Sequence, residues 1–432
     1  MRFLLALLLG LALIGCGDNS TFPDGSTDGA QDAGDGTGPA DDGSAPADQT
    51  DAGDPGADSG QDGEDAGGDT QSDAGQDAGA DSGWDAGTDA GEDAGADSGD
   101  SNGDQGQTVQ GCIRGTGFQV YYGNLHSHTD YSDGDGTADE AFTWARDQAG
   151  LDIMILSDHI EQLYIPLSEY ATCQGVSDSY YVPGEYLSDC AFEYAVAIVG
   201  LLGHNNVFFS PELFPLEADF EAFYPRLAAC GTCVASFNHP GDSAGHTWKE
   251  FVYDAPADET LNLFEFNTDG DAWGLFFQAM DTGWHISPTY NQDNHGTDWG
   301  TKNDNRSAFF MTELSREALR QAILERRSFA TTDKNSSIYM LADGECWMGS
   351  ILSGVTSMDL LVVAEDPDAE DTFASIEFYS PEQTLEYTHD CAGATYCEAS
   401  LIVPVSVSTY IVARANFTNG GFMIAAPIWA SP

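Results

Sequence analysis

The sequence predicts a mixed α/β domain followed by a small antiparallel β-sandwich, and three observations predict it. A strand, helix, strand run between Val120 and Leu156 carries polar residues at the strand ends. A further apolar strand, Val234-Ala235-Ser236-Phe237, runs into Asn238-His239-Pro240. Beyond about Asn335 the pattern changes to short alternating strands at 337–341, 359–364, 375–379, 401–405 and 409–413, with Gly, Pro and Asp between them.

The chain does not begin with this domain. Met1, Arg2, an apolar run over 3–14 and then Gly15-Cys16 read as a lipoprotein signal, with Leu13-Ile14-Gly15-Cys16 as its lipobox. The run is shorter than the roughly 18 apolar residues of a spanning helix. Cys16 is therefore the expected lipidation site and membrane anchor, several acyl chains together holding a protein where one binds marginally. Gly17, rather than Asp, follows it, which by similarity to enteric sorting rules points to an outer-membrane lipoprotein, facing the periplasm or the cell surface. Residues 17–110 repeat Asp-Ala-Gly and Asp-Ser-Gly units with no Lys or Arg and read as a disordered, self-repelling spacer.

Of 432 residues, 72 are acidic and 13 are Lys or Arg, for a formal net charge of −59. With the 25 acidic residues of the spacer set aside, the folded part remains strongly acidic. Such a balance repels a phosphodiester backbone, so the expected partner is a small-molecule substrate and not nucleic acid. Cys112, Cys173, Cys190, Cys230, Cys233, Cys346, Cys391 and Cys397 remain beside Cys16, an even number that suits disulfides in an exported chain. Cys230 with Cys233 and Cys391 with Cys397 are candidate pairs, and the first could instead be a redox or zinc CxxC.

Within the domain, Val120-Tyr121-Tyr122 is a short strand leading to His126-Ser127-His128, whose two imidazoles, two residues apart, share a side and can grip one cation. Thr137-Ala138-Asp139-Glu140 has capping-box spacing and opens a helix with Ala141, Phe142, Ala145 and Ala149 on one face, stopped by Gly150. The strand 151–156 follows and ends in Ser157-Asp158-His159. Strand C-termini are where barrel enzymes place their sites. A helix over 313–325, with Leu314, Ala318, Ala322 and Ile323 on its apolar side, is expected to close the catalytic domain.

His126-x-His128-Thr129-x-x-Ser132-Asp133-Gly134, followed by a strand and Asp158-His159, resembles the first two motifs of the PHP (polymerase and histidinol phosphatase) superfamily of metal-dependent hydrolases. Phe192-Glu193-Tyr194, Gly203-His204-Asn205-Asn206-Val207, His239-Pro240 and Asp293-Asn294-His295 extend the resemblance, which is closest to the CehA/McbA-like branch; Ala191 stands where that family usually has glycine. The resemblance implies a distorted (β/α)7 PHP barrel at 111–334, followed by the sandwich at 335–432, after the signal 1–16 and spacer 17–110. It also implies two or three divalent cations of the Zn, Mn or Fe type. One would take His126, His128, Glu193 and Asp293. A second would share Glu193 and take His204 and His239, and a third would take Asp133, His159 and His295. Asp158 is expected to orient a ligand, and His246, His285 and His389 to play ordinary structural roles.

Cations around one water lower its pKa towards about 7. The hydroxide so formed would attack phosphorus or carbonyl, with Asp293 shuttling the proton. Lys302, Arg306, Arg327 and Lys334 stand out among the few basic residues, and Arg306 and Arg327 are the candidates to hold phosphate oxygens. The expected function is a phosphatase or phosphodiesterase. The alternatives are a carboxyl ester, carbamate or deacylase-type hydrolase using the same residues, and a non-catalytic metal- or glycan-binding surface lipoprotein.

Overall fold

The computed structural model describes residues 109–163, 168–196, 202–242, 246–266 and 271–432. Cys16 and the segment 17–108 lie outside the described residues. Among those described, no helix is long and apolar enough to cross a membrane.

Ten strands build the part that carries the histidines: β1 (Gln119–Asn124), β2 (Ile153–Leu156), β3 (Leu187–Cys190), β4 (Phe192–Val196), β5 (Gly203–Phe208), β6 (Val234–Phe237), β7 (Leu261–Phe266), β8 (Ser287–Tyr290), β9 (Arg306–Met311) and β10 (Ser328–Thr331). The helix after β1, Ala138–Asp147, forms where the capping box places it. Thr137 accepts the Glu140 N–H while Glu140 accepts that of Thr137, and Ala138, Ala141, Phe142 and Ala145 are buried. Gly150 leaves it at φ +65°, a left-handed conformation that suits glycine. The helix expected over 313–325 is shorter, Arg316–Leu324, because the Ser315 hydroxyl accepts the Ala318 N–H and caps it there.

The sheet order is β10-β9-β1-β2-β3 in one curved sheet and β4-β5-β6-β7-β8 in another. β1, β2 and β3 are parallel, as are β6, β7 and β8, but β4, β5 and β6 alternate in direction and β9 runs antiparallel to β1. The architecture is mixed α/β, yet the regular alternation of a (β/α)7 barrel is broken. Ala191 alone separates β3 from β4, leaving no room for a crossover helix, so the chain passes directly from one sheet into the other. The two sheets meet in several places, among them an isolated bridge between His159 and Glu193 and a buried polar seam in which Ser328 Oγ donates to Ser287 Oγ at 2.8 Å and to the Pro288 carbonyl at 3.0 Å.

The C-terminal strands are β11 (Ser337–Ala342), β12 (Cys346–Trp347), β13 (Ile351–Ser353), β14 (Ser357–Glu365), β15 (Phe373–Ser380), β16 (Thr384–Ala394), β17 (Tyr396–Pro404), β18 (Thr409–Phe417), β19 (Phe422–Ala425) and β20 (Ile428–Ser431). β12-β11-β14-β17 form a separate antiparallel sheet. Met340, Leu360 and Val362 from it share an apolar core with Phe373, Ile376, Ile411 and Ala413. β10 pairs with β19, Ala330 opposite Ile424. One sheet therefore serves both the histidine-bearing part and the C-terminal layers.

Four disulfides are present: Cys112–Cys346, Cys173–Cys190, Cys230–Cys233 and Cys391–Cys397. The last two are the short-range pairs the spacing suggested, so Cys230 and Cys233 are bonded to each other. Cys112–Cys346 spans a sequence separation of 234 and fastens the entry segment to β12. Replacing both with alanine is expected to lower the unfolding free energy by about 2–4 kcal/mol. Chemical denaturation of the two proteins reads this, and coincident midpoints would show that the bridge adds no stability.

Candidate metal centre

The strands bring the polar residues to one place. His126 and His128 follow β1, His159 follows β2, Asn238 and His239 follow β6, and Asp293 and His295 follow β8. β5 runs antiparallel to β6, so its first residues lie at the same end, and His204 bridges Asn238. Gly134 allows the 130–136 turn to fold back and present Asp133: a Cβ there would stand 2.5 Å from the His128 carbonyl carbon.

At the centre is Glu193, 1% exposed. Its carboxylate lies 3.3 Å from His126 Nε2, 3.6 Å from His128 Nε2, 2.9 Å from His159 Nδ1, 3.1 Å from His204 Nδ1 and 3.1 Å from His239 Nε2. Asp293 Oδ1 stands 3.3 Å from His126 Nε2 and 3.1 Å from His128 Nε2. Asp133 Oδ1 stands 3.4 Å from His295 Nε2, 3.7 Å from His159 Nε2 and 3.9 Å from His128 Nδ1. All nine residues expected to hold metal are thus gathered. His159 reaches Glu193 more closely than Asp133, so it stands between the second and third expected positions.

The donor set fits divalent cations. His126 Nε2 and His128 Nε2 face each other at 3.3 Å, an arrangement two imidazole lone pairs tolerate when a cation lies between them. His126-His128-Asp293, His126-Glu193-His239, His159-Glu193-His204 and His128-Asp133-His159-His295 each place their donor atoms within 4.8 Å of one another. Imidazole with carboxylate suits Zn, Mn or Fe.

The charges are arranged to match. Burial disfavours ionised Glu193, but His204, His126 and His159 outweigh it and hold its pKa well below the usual carboxylate range. Burial of Asp293 is likewise overcome by His126, the His128 hydrogen bond and His239. Burial also opposes a charged His126, yet Glu265, Asp293 and Glu193 raise its pKa well above the ordinary value. His239 and His295 are raised against burial by hydrogen bonds, chiefly those they donate to Asp242 and Asp133 respectively. Burial and the neighbouring His159 push His128 down to about 3.

Three participants escape sequence reasoning. Glu265, 1% exposed, holds both oxygens 3.0 Å from His126 Nδ1 and accepts the His239 backbone N–H at 2.8 Å, which fixes which nitrogen of His126 faces the cluster. Its signal was present, since β7 is another apolar strand with a carboxylate near its end. Asp242 Oδ2 lies 3.1 Å from His239 Nδ1 and 2.9 Å from His246 Nδ1. His246, expected to be ordinary, has its ring 4.9 Å from that of His204. His285 keeps its structural role, with Nδ1 2.7 Å from Asp258. Asp158 braces the 129–132 turn, accepting from Thr129 N at 2.8 Å and Ser132 Oγ at 2.6 Å.

The arginines require correction. Arg327 is buried, bonded to Glu325 Oε2 at 2.8 Å and to the Phe310 carbonyl, with its guanidinium 4.3 Å over the Phe118 ring. Phe118 precedes β1, whereas His126 follows it, so Arg327 sits a strand length, about 20 Å, from the cluster. Arg306 is at the right end of β1's neighbour but is 2% exposed and donates to the carbonyls of Asn303 (3.2 Å) and Asn305 (2.8 Å). Both guanidinium groups are committed to the scaffold.

No protein-family description and no curated protein matches the chain. Among solved structures, it is similar to a two-domain protein containing a predicted PHP-like metal-dependent phosphoesterase from Bacteroides vulgatus ATCC 8482. The identity is 15% and the TM-score 0.41, over 73% of this chain and 95% of that one. It is also similar to PsfC from Pseudomonas syringae PB-5123, at 16% identity and TM-score 0.36 over 49% of this chain and 90% of that one. A third is the lesion-specific endonuclease PfuEndoQ from Pyrococcus furiosus, at 16% identity and TM-score 0.37 over 60% and 62%. Endonuclease Q has also been solved with a 27-mer duplex substrate bearing an abasic lesion. These endonucleases overturn the expectation that nucleic acid is excluded: a net charge summed over the chain does not describe the field at a cluster of imidazoles and cations.

Two outcomes follow from this geometry. Glu265→Gln is expected to weaken metal affinity by about 10–100-fold, read by competition with a chromophoric chelator. Because His126, His239 and His295 hold protons more tightly than usual in the metal-free protein, a cation must displace those protons. Metal binding should therefore weaken as pH falls and release protons near neutrality, read by calorimetry in buffers of different ionisation enthalpy.

Proposed function

We propose that the chain is an exported metal-dependent hydrolase of the PHP superfamily, in its CehA/McbA-like branch, acting on a small phosphoester. The observation that carries this reading is the convergence of nine residues from six separated sequence motifs, eight of them gathered about the ninth, the buried Glu193 carboxylate. The parallel runs β1-β2-β3 and β6-β7-β8, with the clustered residues after β1, β2, β6 and β8, support a distorted (β/α)7 barrel, and the shared apolar core of the C-terminal layers supports a β-sandwich. The signal-like start supports lipidation at Cys16 and an outer-membrane address, with the acidic segment as a spacer. The paired cysteines suit that oxidising location.

These residues would hold two or three divalent cations, which would supply Lewis-acid activation of water and neutralise charge on the reacting group. Glu193, sealed from solvent, stays ionised and serves as the shared anionic support. Asp293 differs from it: its side chain is 30% exposed, so it is the cluster carboxylate placed to take a proton from an attacking water and return it to solvent. His126 is held by Glu265 with Nε2 turned inward. With Arg306 and Arg327 tied into the scaffold, the oxygens of a phosphoester depend on the cations and imidazoles. That same observation keeps a second reading in view, hydrolysis of carboxyl esters or carbamates, which need no guanidinium clamp.

The metal-loaded chain is to be assayed against aryl phosphate monoesters and diesters, an abasic duplex and carboxyl esters. Turnover of the phosphoesters over the carboxyl esters is expected. His126→Ala should lose metal and turnover together, and Asp293→Ala should lower kcat by about 10²–10⁴-fold. Unchanged metal content and rate in both variants would remove the assignment, and no turnover of any substrate would favour a binding protein.

A further inference from the structure

A second cluster of charge lies in the C-terminal part, built of oxygen donors alone. The loop 366–372 between β14 and β15 carries Asp366, Asp368, Glu370 and Asp371, and the loop after β10 carries Asp333. Asp366 is 6% exposed. Its Oδ1 accepts the Asp368 N–H at 2.8 Å, while its Oδ2 is buried with no hydrogen-bond partner. A buried, unpaired carboxylate oxygen is costly, and here its charged neighbours are Asp333, Asp371 and Asp368, all of the same sign. Among the described residues, none of these four carboxylates has an ion pair; the neighbouring Lys334 is exposed and pairs with Asp304 at 2.9 Å. A cavity of about 140 Å³ lined by Thr332, Asp333, Phe417, Asn419 and Gly421 opens beside them.

We propose that these loops form a calcium site, with Asp333, Asp366, Asp368 and Asp371 as its carboxylate ligands. An all-oxygen set excludes the softer cations that imidazole clusters select. Calcium takes six to eight oxygens at flexible geometry, whereas magnesium demands a tight octahedron and keeps its waters. Four carboxylates on two loops match the former. Asn335 Nδ2 donates to Asp368 Oδ2 at 3.1 Å and Asn419 Nδ2 to Asp371 Oδ1 at 3.3 Å, leaving one oxygen of each aspartate for the cation. The ion would fasten the loops that follow β10 and β14, next to the β18–β19 turn, where the histidine-bearing sheet continues into the C-terminal layers.

The test uses the full chain, stripped with chelator and then titrated with calcium or magnesium chloride to about ten times the millimolar range of extracellular sites. Calcium is expected to raise the thermal midpoint by about 2 °C near saturation, and magnesium by less. Asp366→Asn should abolish the calcium shift while its calcium-free midpoint is no lower than that of the parent, because the amide relieves like-charge crowding. Asp368→Asn, at an exposed position that does not endanger folding, should require more calcium for the same shift. No shift in the parent overturns the site. So does a full shift in Asp366→Asn, which places binding in the acidic segment or the histidine cluster. A calcium-free midpoint lowered in Asp366→Asn also overturns it, since that carboxylate would then be an ordinary structural group.

Discussion

Everything in the histidine-bearing part is organised around one unfavourable act, the burial of the Glu193 carboxylate. Alone, that charge would cost several kcal/mol to remove from water. It is tolerated because five imidazoles from four separate segments close on it. The sheet pays with its regularity: β4 begins a single residue after β3, and the parallel order gives way to antiparallel pairs so that Glu193 and His204 enter the same space.

The surrounding backbone is strained in step with this arrangement. His239 at φ +33° and Asp293 at φ +43° hold left-handed conformations that cost non-glycine residues about 1–3 kcal/mol each. Glu265 secures the first by accepting its N–H, and the packed run after β8 holds the second, with Asn294 accepting the His128 N–H at 2.9 Å. Such strain persists only where the neighbours over-determine it. A scaffold that locks both residues also has little freedom to relax if either is replaced.

Much of this was legible in the sequence. The capping box and apolar face gave the helix after β1; histidines at the ends of apolar strands marked the place of the cluster, and the resemblance of the motifs to those of PHP proteins implied its carboxylates Asp133, Glu193 and Asp293. What stayed hidden has physical reasons. β16 lacks an apolar alternation because it is an edge strand exposed along most of both faces. The junction between sheets is made by serine hydroxyls at 287 and 328, which leave no periodic trace. Arg306 and Arg327 attracted attention because cations are scarce, but scarcity does not distinguish a guanidinium facing substrate from one capping buried carbonyls. His246 was invisible because its role depends on Asp242, which turns toward two imidazoles at once.

The entry segment has a mechanical consequence. Before β1 begins, the chain is stitched to the C-terminal layers: Gln110 bridges Ser353, Ile113 donates to Ser350 Oγ at 2.9 Å, and Cys112 is covalently joined to Cys346. Tension applied from the residues upstream is therefore carried into β12 and β13 through a bond that cannot slip. The strand that leads to His126 and His128 is spared, so a pull on the leader need not deform the cluster.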